Sequence, residues 1–243
     1  MKIEASEYQC GDLGLKGDFI FPEGDQAHPC IIIFHAWKGK DSFVQKKGKE
    51  IVSTLGIGAF CADLYGGGES VESDEEAGAL MMPLFKNREE LQKRVLAAFE
   101  HVVQHKLVNR NKVGAIGFCF GGLAGLELFR SGVDVKGVCL FHPVLGNTLG
   151  DEVAETVPIA KGIENPLLVM VGNLDPLVNQ EDITYFKEEM TNAGVDWQLN
   201  IYGRAYHAFT NPAVNDPSSG LVFNHEINRR AFQSMGNFFT ALI

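Results

Sequence analysis

The feature that most constrains the fold of this chain is a recurring alternation. A short apolar run rich in Val, Ile, Leu and Phe is followed by a polar loop and then by an amphipathic stretch. The clearest runs are Cys30–Ala36, Ile57–Leu64, Lys112–Phe118, Val135–His142, Leu167–Gly172 and Trp197–Tyr202, each short and β-rich enough to be a buried strand. Ile3–Tyr8 and Leu15–Phe21 read as an antiparallel opening hairpin. Between the runs, Phe43–Thr54, Arg88–His105, Gly122–Arg130, Asp182–Asn192 and Asn228–Leu242 carry apolar residues at three- and four-residue spacing, as helices that pack one face do. Strand–helix alternation of this kind builds a mainly parallel sheet covered by helices on both faces, an α/β fold. With no repeat and no linker-like Pro/Gly/Ser stretch, residues 1–243 are expected to form one domain. In such sheets ligands sit beyond the carboxyl ends of the strands, so the loops that follow strands are where chemistry is sought.

One of those loops stands out. Strand Lys112–Phe118 runs into Gly117-Phe118-Cys119-Phe120-Gly121-Gly122 and then directly into a helix-compatible LAGLELF. G-x-C-x-G between a strand and a helix is the thiol form of a nucleophile elbow. The turn presents Cys119 at a helix N-terminus, where free amides and the positive dipole end favour a thiolate, and the Phe120 amide can donate to a developing oxyanion. The bland alternative is a small buried hydrophobe, the commonest fate of a free cysteine. That reading is preferred for Cys10, Cys30, Cys61 and Cys139, which lie in or beside strand-like runs. Five cysteines with no CxxC pair suit neither a disulfide framework nor a zinc site, and no metal is expected.

A thiol needs a neighbour to take its proton. Of seven histidines, His207 follows the last strand and precedes the terminal helix, where a base arriving last in the chain belongs. The acid is expected after the preceding strand, and Asp175 lies there, in the loop behind Leu167–Gly172. It would orient the imidazole without taking the proton itself. Asp175-Pro176 is also good turn chemistry, so Asp182 and Asp151 stand in reserve. The order nucleophile, acid, histidine is that of α/β-hydrolases. That fold places its second oxyanion amide after an early strand, and the Trp37 amide, in His35-Ala36-Trp37-Lys38-Gly39, is the candidate.

Taken together, GFCFGG, GNLDPLV, YHAFTNP, HAWKG and DLYGGG resemble the dienelactone hydrolase family over roughly residues 15–240. The resemblance implies an α/β-hydrolase fold with little or no cap domain, no cofactor, and a Cys-Asp-His triad acting on esters or lactones through a thioester. By motif, Cys119, Asp175 and His207 match the triad, and Phe120 and Trp37 the oxyanion amides. Two departures stand out. Ala36 occupies the position where dienelactone-cleaving members carry a glutamate against the resting thiol. Their two carboxylate-binding arginines correspond here to Gly66-Gly67 and Asn211. The expected substrate is therefore a neutral small ester or lactone, with Lys38 and Arg204 as the residues that could restore a positive charge. Ala36, Lys38, His142, Arg204 and Asn211 are the pocket candidates, and His142 reads equally well as a structural residue at a strand end. A thioesterase or acyltransferase on the same residues, or a non-catalytic binding or scaffold protein of the same fold, are the alternatives.

The remaining features exclude more than they assign. A net charge of -10 disfavours nucleic acid, since binding phosphates takes a concentrated cationic surface. Gly66-Gly67-Gly68 lacks the Lys-Ser/Thr of a phosphate loop, and the acidic run Glu69–Glu76 reads as a solvated loop. No apolar run approaches a bilayer span, and MKIEASEYQC has no signal-peptide character, so a cytoplasmic location is expected. Sequence carries no sign of oligomeric state.

Overall fold

A computed structural model describes residues 1–243. The strands are β1 (Lys2–Cys10), β2 (Leu13–Phe21), β3 (His28–Phe34), β4 (Gly58–Ala62), β5 (Val108–Phe118), β6 (Val138–Phe141), β7 (Thr148–Leu149), β8 (Glu152–Val153), β9 (Leu167–Gly172), β10 (Trp197–Tyr202), β11 (Asn215–Asp216) and β12 (Leu221–Val222). The helices are α1 (Ser42–Leu55), α2 (Asp74–Lys86), α3 (Arg88–Gln104), α4 (Phe120–Arg130), α5 (Gln180–Asn192) and α6 (His225–Thr240). Eight strands form one sheet in the order β1-β2-β4-β3-β5-β6-β9-β10, while β7-β8 and β11-β12 are separate two-stranded ribbons. β1 and β2 pair antiparallel, as does β2 with β4. Every other neighbour in the main sheet is parallel. The α/β architecture expected from the alternation is the one observed.

Side-chain alternation along the strands builds two cores. Ile32 and Phe34 of β3, Val113 and Ala115 of β5 and Leu167 and Val169 of β9 face Leu91, Val95 and Leu123 of α3 and α4. Ile31, Ile33, Ile116, Leu168 and Met170 point the other way, against Val44, Ile51, Ile227 and Ala231 of α1 and α6. A period of two places successive residues on opposite faces, and with both faces covered the strands read as continuous apolar runs. Cys30, Cys61 and Cys139 lie fully buried in these layers.

Three features depart from the expectation. The central strands are displaced at their ends: β3 begins at His28, β5 begins at Val108 and β6 covers only Val138–Phe141. The run Glu69–Glu76 is a loop only to its midpoint, because Ser73 caps α2, its Oγ accepting from the Glu76 amide at 3.2 Å. Asp74, Glu75 and Glu76 then form a first turn that favours the helix dipole. The ribbons β7-β8 and β11-β12 come from runs too short to register as strands. No helix is long and apolar enough to cross a membrane.

Candidate active site

β3, β5, β6, β9 and β10 are parallel and in register, with Phe34 opposite Gly117, Phe118 opposite Phe141, Phe141 opposite Met170 and Gly172 opposite Tyr202. Their carboxyl ends therefore open on one side. Trp37 follows β3, Cys119 follows β5, His142 follows β6, Asp175 follows β9 and His207 follows β10. β3 has β4 on one flank and β5 on the other. The gap between β3 and β5 is thus the point where the chain reverses its direction of travel across the sheet, the crevice where ligands bind in open α/β sheets.

Cys119 sits on the turn with φ 55° and ψ -116°, a conformation that L-residues rarely adopt and that persists only where the surroundings enforce it. The enforcing contacts explain the glycines. A Cβ on Gly117 would overlap the Gly121 carbonyl oxygen, one on Gly121 the Phe34 carbonyl oxygen, and one on Gly122 would come within 2.6 Å of Pro143. Strand, turn and helix are packed backbone to backbone, so a side chain has no room. The thiol is half-buried and free and opens on a cavity. By contrast, burial pushes the thiols of Cys30, Cys61 and Cys139 up, so that they stay protonated at neutral pH.

Asp175 and His207 are brought together. Asp175 Oδ2 accepts from His207 Nδ1 at 2.7 Å, and Oδ1 accepts from the Leu177 amide at 2.9 Å. The two side chains are 0% and 1% exposed, so the pair is shielded from solvent screening. The His207 backbone is clamped by bonds to Gly220, which precedes β12, and to Val222, within it, so that ribbon is part of the site. Asp182 serves elsewhere, completing the cap of α5 with Asn179, and Asp151 lies in the turn between β7 and β8. His207 Nε2 is buried and makes no hydrogen bond in the resting arrangement. Burial disfavours its charged form, but its interactions with Cys119 and with the Asp175 carboxylate more than offset this and raise His207 to about 10.

His142 proves to line the cavity and to be structural at once. It meets His207 edge-on, with ring centroids 5.0 Å apart, and its Nε2 pairs with Thr210 Oγ1 at 2.8 Å. Burial, reinforced by charge on His207, holds it well below the ordinary histidine value and therefore neutral.

The cavity has a volume of about 280 Å³. Ala36, Trp37, Cys119, His142, His207 and Asn211 line it together with Phe43, Phe118, Met81, Val144, Leu149, Leu177, Val214 and Leu221, and the wall includes no Lys, Arg, Asp or Glu. Lys38 and Arg204 are not brought in. The Lys38 ammonium is held by Asp74 at 2.9 Å and by the Glu72 carbonyl at 2.6 Å, and Arg204 is exposed and absent from the cavity wall. Met81, Leu149, Val214 and Leu221 were not singled out from sequence. For Met81 a signal existed, since Ser73-x-x-Glu76 ahead of an apolar run is a helix start. No group of His, Cys, Asp or Glu side chains converges as a metal site.

Three comparisons place the chain. The family model described as "Dienelactone hydrolase family" matches residues 17–243. Among curated proteins, the "Putative carboxymethylenebutenolidase" of Aquifex aeolicus (strain VF5) is 26% identical over 237 residues, 96% of each chain. Among solved structures, the dienelactone hydrolase-like promiscuous phosphotriesterase P91 from metagenomic libraries superimposes with a TM-score of 0.90 at 27% identity, covering 99% of this chain and 98% of that one. A structure called m3DLH gives a TM-score of 0.90 at 30% identity, covering 100% and 98%. The fold and a match spanning nearly the whole sequence lead to the same conclusion: this chain belongs to the dienelactone hydrolase family, among the hydrolases of carboxylic esters and lactones.

Proposed function

We propose that the chain hydrolyses small, uncharged esters or lactones through a thioester formed on Cys119, with His207 as acid and base and Asp175 as its orienter. The Cys119 thiolate attacks the carbonyl carbon, and the negative oxygen of the tetrahedral species accepts from the Trp37 and Phe120 amides. Trp37 lies outside any helix or strand and its amide makes no hydrogen bond, while Phe120 opens α4, where first-turn amides lack intrahelical partners. As the species collapses, the proton on His207 Nε2 passes to the departing alkoxide, which leaves as alcohol. Water then gives a proton to Nε2 and its oxygen to the thioester, releasing the acid and restoring the thiolate. Asp175 keeps the proton of Nδ1 in place throughout. With Ala36 beside the thiol, no carboxylate from the oxyanion loop shares this work, so His207 supplies the activation alone.

The observation that carries the reading is the convergence of a strained half-buried thiol and a buried Asp–His pair on a cavity whose wall has no Lys, Arg, Asp or Glu. The test is turnover of p-nitrophenyl esters and small lactones, with mass spectrometry of the quenched enzyme. An acyl adduct on Cys119 and loss of turnover in Cys119→Ala support the reading; full turnover in Cys119→Ala refutes it. A second reading, hydrolysis of neutral phosphotriesters, draws on the same lack of Lys, Arg, Asp and Glu in the wall and on the likeness to P91. A dialkyl p-nitrophenyl phosphate in the same panel measures it, with turnover absent from the wild type ruling it out.

A further inference from the structure

His35 is fully buried and absent from the cavity wall, yet both of its ring nitrogens are engaged. Nδ1 lies 2.7 Å from the Ala36 carbonyl oxygen, and Nε2 lies 3.1 Å from the Leu64 amide. A carbonyl only accepts and an amide N–H only donates, so Nδ1 carries the proton and Nε2 is bare. Burial lowers the histidine, in keeping with this neutral tautomer. The Ala36 carbonyl belongs to the same peptide unit as the Trp37 N–H. In a planar trans peptide these two groups point in opposite directions, so a donor that grips the carbonyl aims the amide. Gly39 N–H adds a second, longer grip on the same oxygen at 3.2 Å.

The following peptide unit is held as well. The Tyr65 hydroxyl donates to the Trp37 carbonyl at 2.7 Å, and the Tyr65 ring packs edge-on against His35 at 4.7 Å and stacks near Phe120 at 6.0 Å. Tyr65 is anchored in turn by Asp63, whose buried carboxylate accepts from the amides of Tyr65, Gly66, Gly68 and Lys16. Both peptide planes flanking Trp37 are therefore tied to the loop after β4 by side chains that never meet the cavity.

We infer that His35 is a positioning residue for the oxyanion hole: its Nδ1–H fixes the peptide that carries the Trp37 amide, with the Tyr65 hydroxyl holding the next one. Donation to the carbonyl also polarises the unit and strengthens its N–H as a donor. The inference rests on the hydrolase reading above and deepens it by assigning the residues that act through the backbone.

The test compares His35→Phe, His35→Asn and Tyr65→Phe for kcat and KM on a p-nitrophenyl ester, for binding of an aldehyde that forms a hemithioacetal with Cys119, and for alkylation of Cys119 by iodoacetamide. Removal of an oxyanion donor lowers kcat by about 10²–10³. Misaiming one in His35→Phe should lower kcat and aldehyde affinity by at least about tenfold within that limit, with KM little changed. Alkylation displaces iodide and builds no oxyanion, so its rate should stay within about twofold of wild type. His35→Asn, whose amide N–H falls near the place of Nδ1, should recover most of the loss. Tyr65→Phe, which removes one hydroxyl and no packing, gives a smaller loss of the same kind and carries the test if His35→Phe does not fold. Normal kcat in both His35→Phe and Tyr65→Phe, or alkylation falling in step with kcat, overturns the proposal while the hydrolase reading stands. A wild type without Cys119-dependent ester cleavage overturns both.

Discussion

Installing an arginine in the cavity asks whether a wall without Lys, Arg, Asp or Glu sets substrate choice. Asn211 is half-buried on that wall and sits at a position where dienelactone-cleaving relatives are expected to hold a carboxylate with arginine. No cation competes for that role here: Lys38 is committed to Asp74 and the Glu72 carbonyl, and Arg204 faces solvent. Asn211→Arg therefore adds a guanidinium to a wall that has no Lys or Arg. A hydrogen bond to a charged group contributes about 1.5–3 kcal/mol, which corresponds to about ten- to a hundredfold in an affinity ratio. Part of that is screened because the position is only half-buried, so the lower end is expected. The assay is kcat/KM for p-nitrophenyl valerate against the p-nitrophenyl monoester of glutarate, which differ chiefly by a terminal carboxylate. The ratio should move toward the anionic ester by about tenfold. The substitution also removes the Asn211 Oδ1 bond to the Ala213 amide at 3.0 Å, worth about 0.5–1.5 kcal/mol, so Tm should fall by a few degrees. A wild type that already prefers the anionic ester tenfold, or a variant whose ratio shifts less than twofold, would refute the reasoning.

Other expectations follow from the same geometry. With His207 raised to about 10, kcat/KM should fall as pH rises through that value, because the imidazolium proton is the one the leaving group takes. The stability gained from the raised value is present in full below the ordinary histidine range near ~6.5 and is lost as pH rises through about 10; a stability maximum above that pH would contradict the assignment. Asp175→Asn should lower kcat by several orders of magnitude, about 10⁴ where such a residue has been replaced in this role, with a normal circular dichroism spectrum. An active variant would move the orienting role elsewhere. Glu127 is fully buried between Arg88 at 3.4 Å and Arg130 at 2.9 Å; Arg130 also pairs with Glu189 at 2.7 Å, so Glu127→Ala strands Arg88 alone, at a cost toward the lower end of about 3–5 kcal/mol. A calorimetric Tm loss of roughly 10 °C is expected, and one under about 2 °C would show that Arg88 finds another partner.

The sequence by itself determined the strands of the main sheet, most of its helices and the order of the chemistry, but not α2 or the two short ribbons. Strands buried on both faces must be apolar throughout, so β3, β5, β6 and β9 were legible as runs. A thiol in G-x-C-x-G ahead of a helix, followed by Asp175 and then His207 each behind a strand, could be read without coordinates because strand ends dictate where loops lie. Tertiary structure decided what depends on distance. Only the parallel register brings Asp175 Oδ2 to 2.7 Å from His207 Nδ1 across 32 residues of chain. Lys38 and Arg204 adjoin the site in sequence yet do not line it: Lys38 is drawn to Asp74 and the Glu72 carbonyl, and Arg204 is exposed. Leu221 reaches the cavity from a ribbon with no sequence signal of its own, and Met81 from a helix whose start Ser73-x-x-Glu76 marks but whose docking over the cavity it does not. His35 is the sharpest case. Its letter in the sequence says only that a histidine follows a strand, whereas its bond to the Ala36 carbonyl depends on the loop after β4 arriving to occupy its other nitrogen, a long-range contact that local residue preferences do not encode.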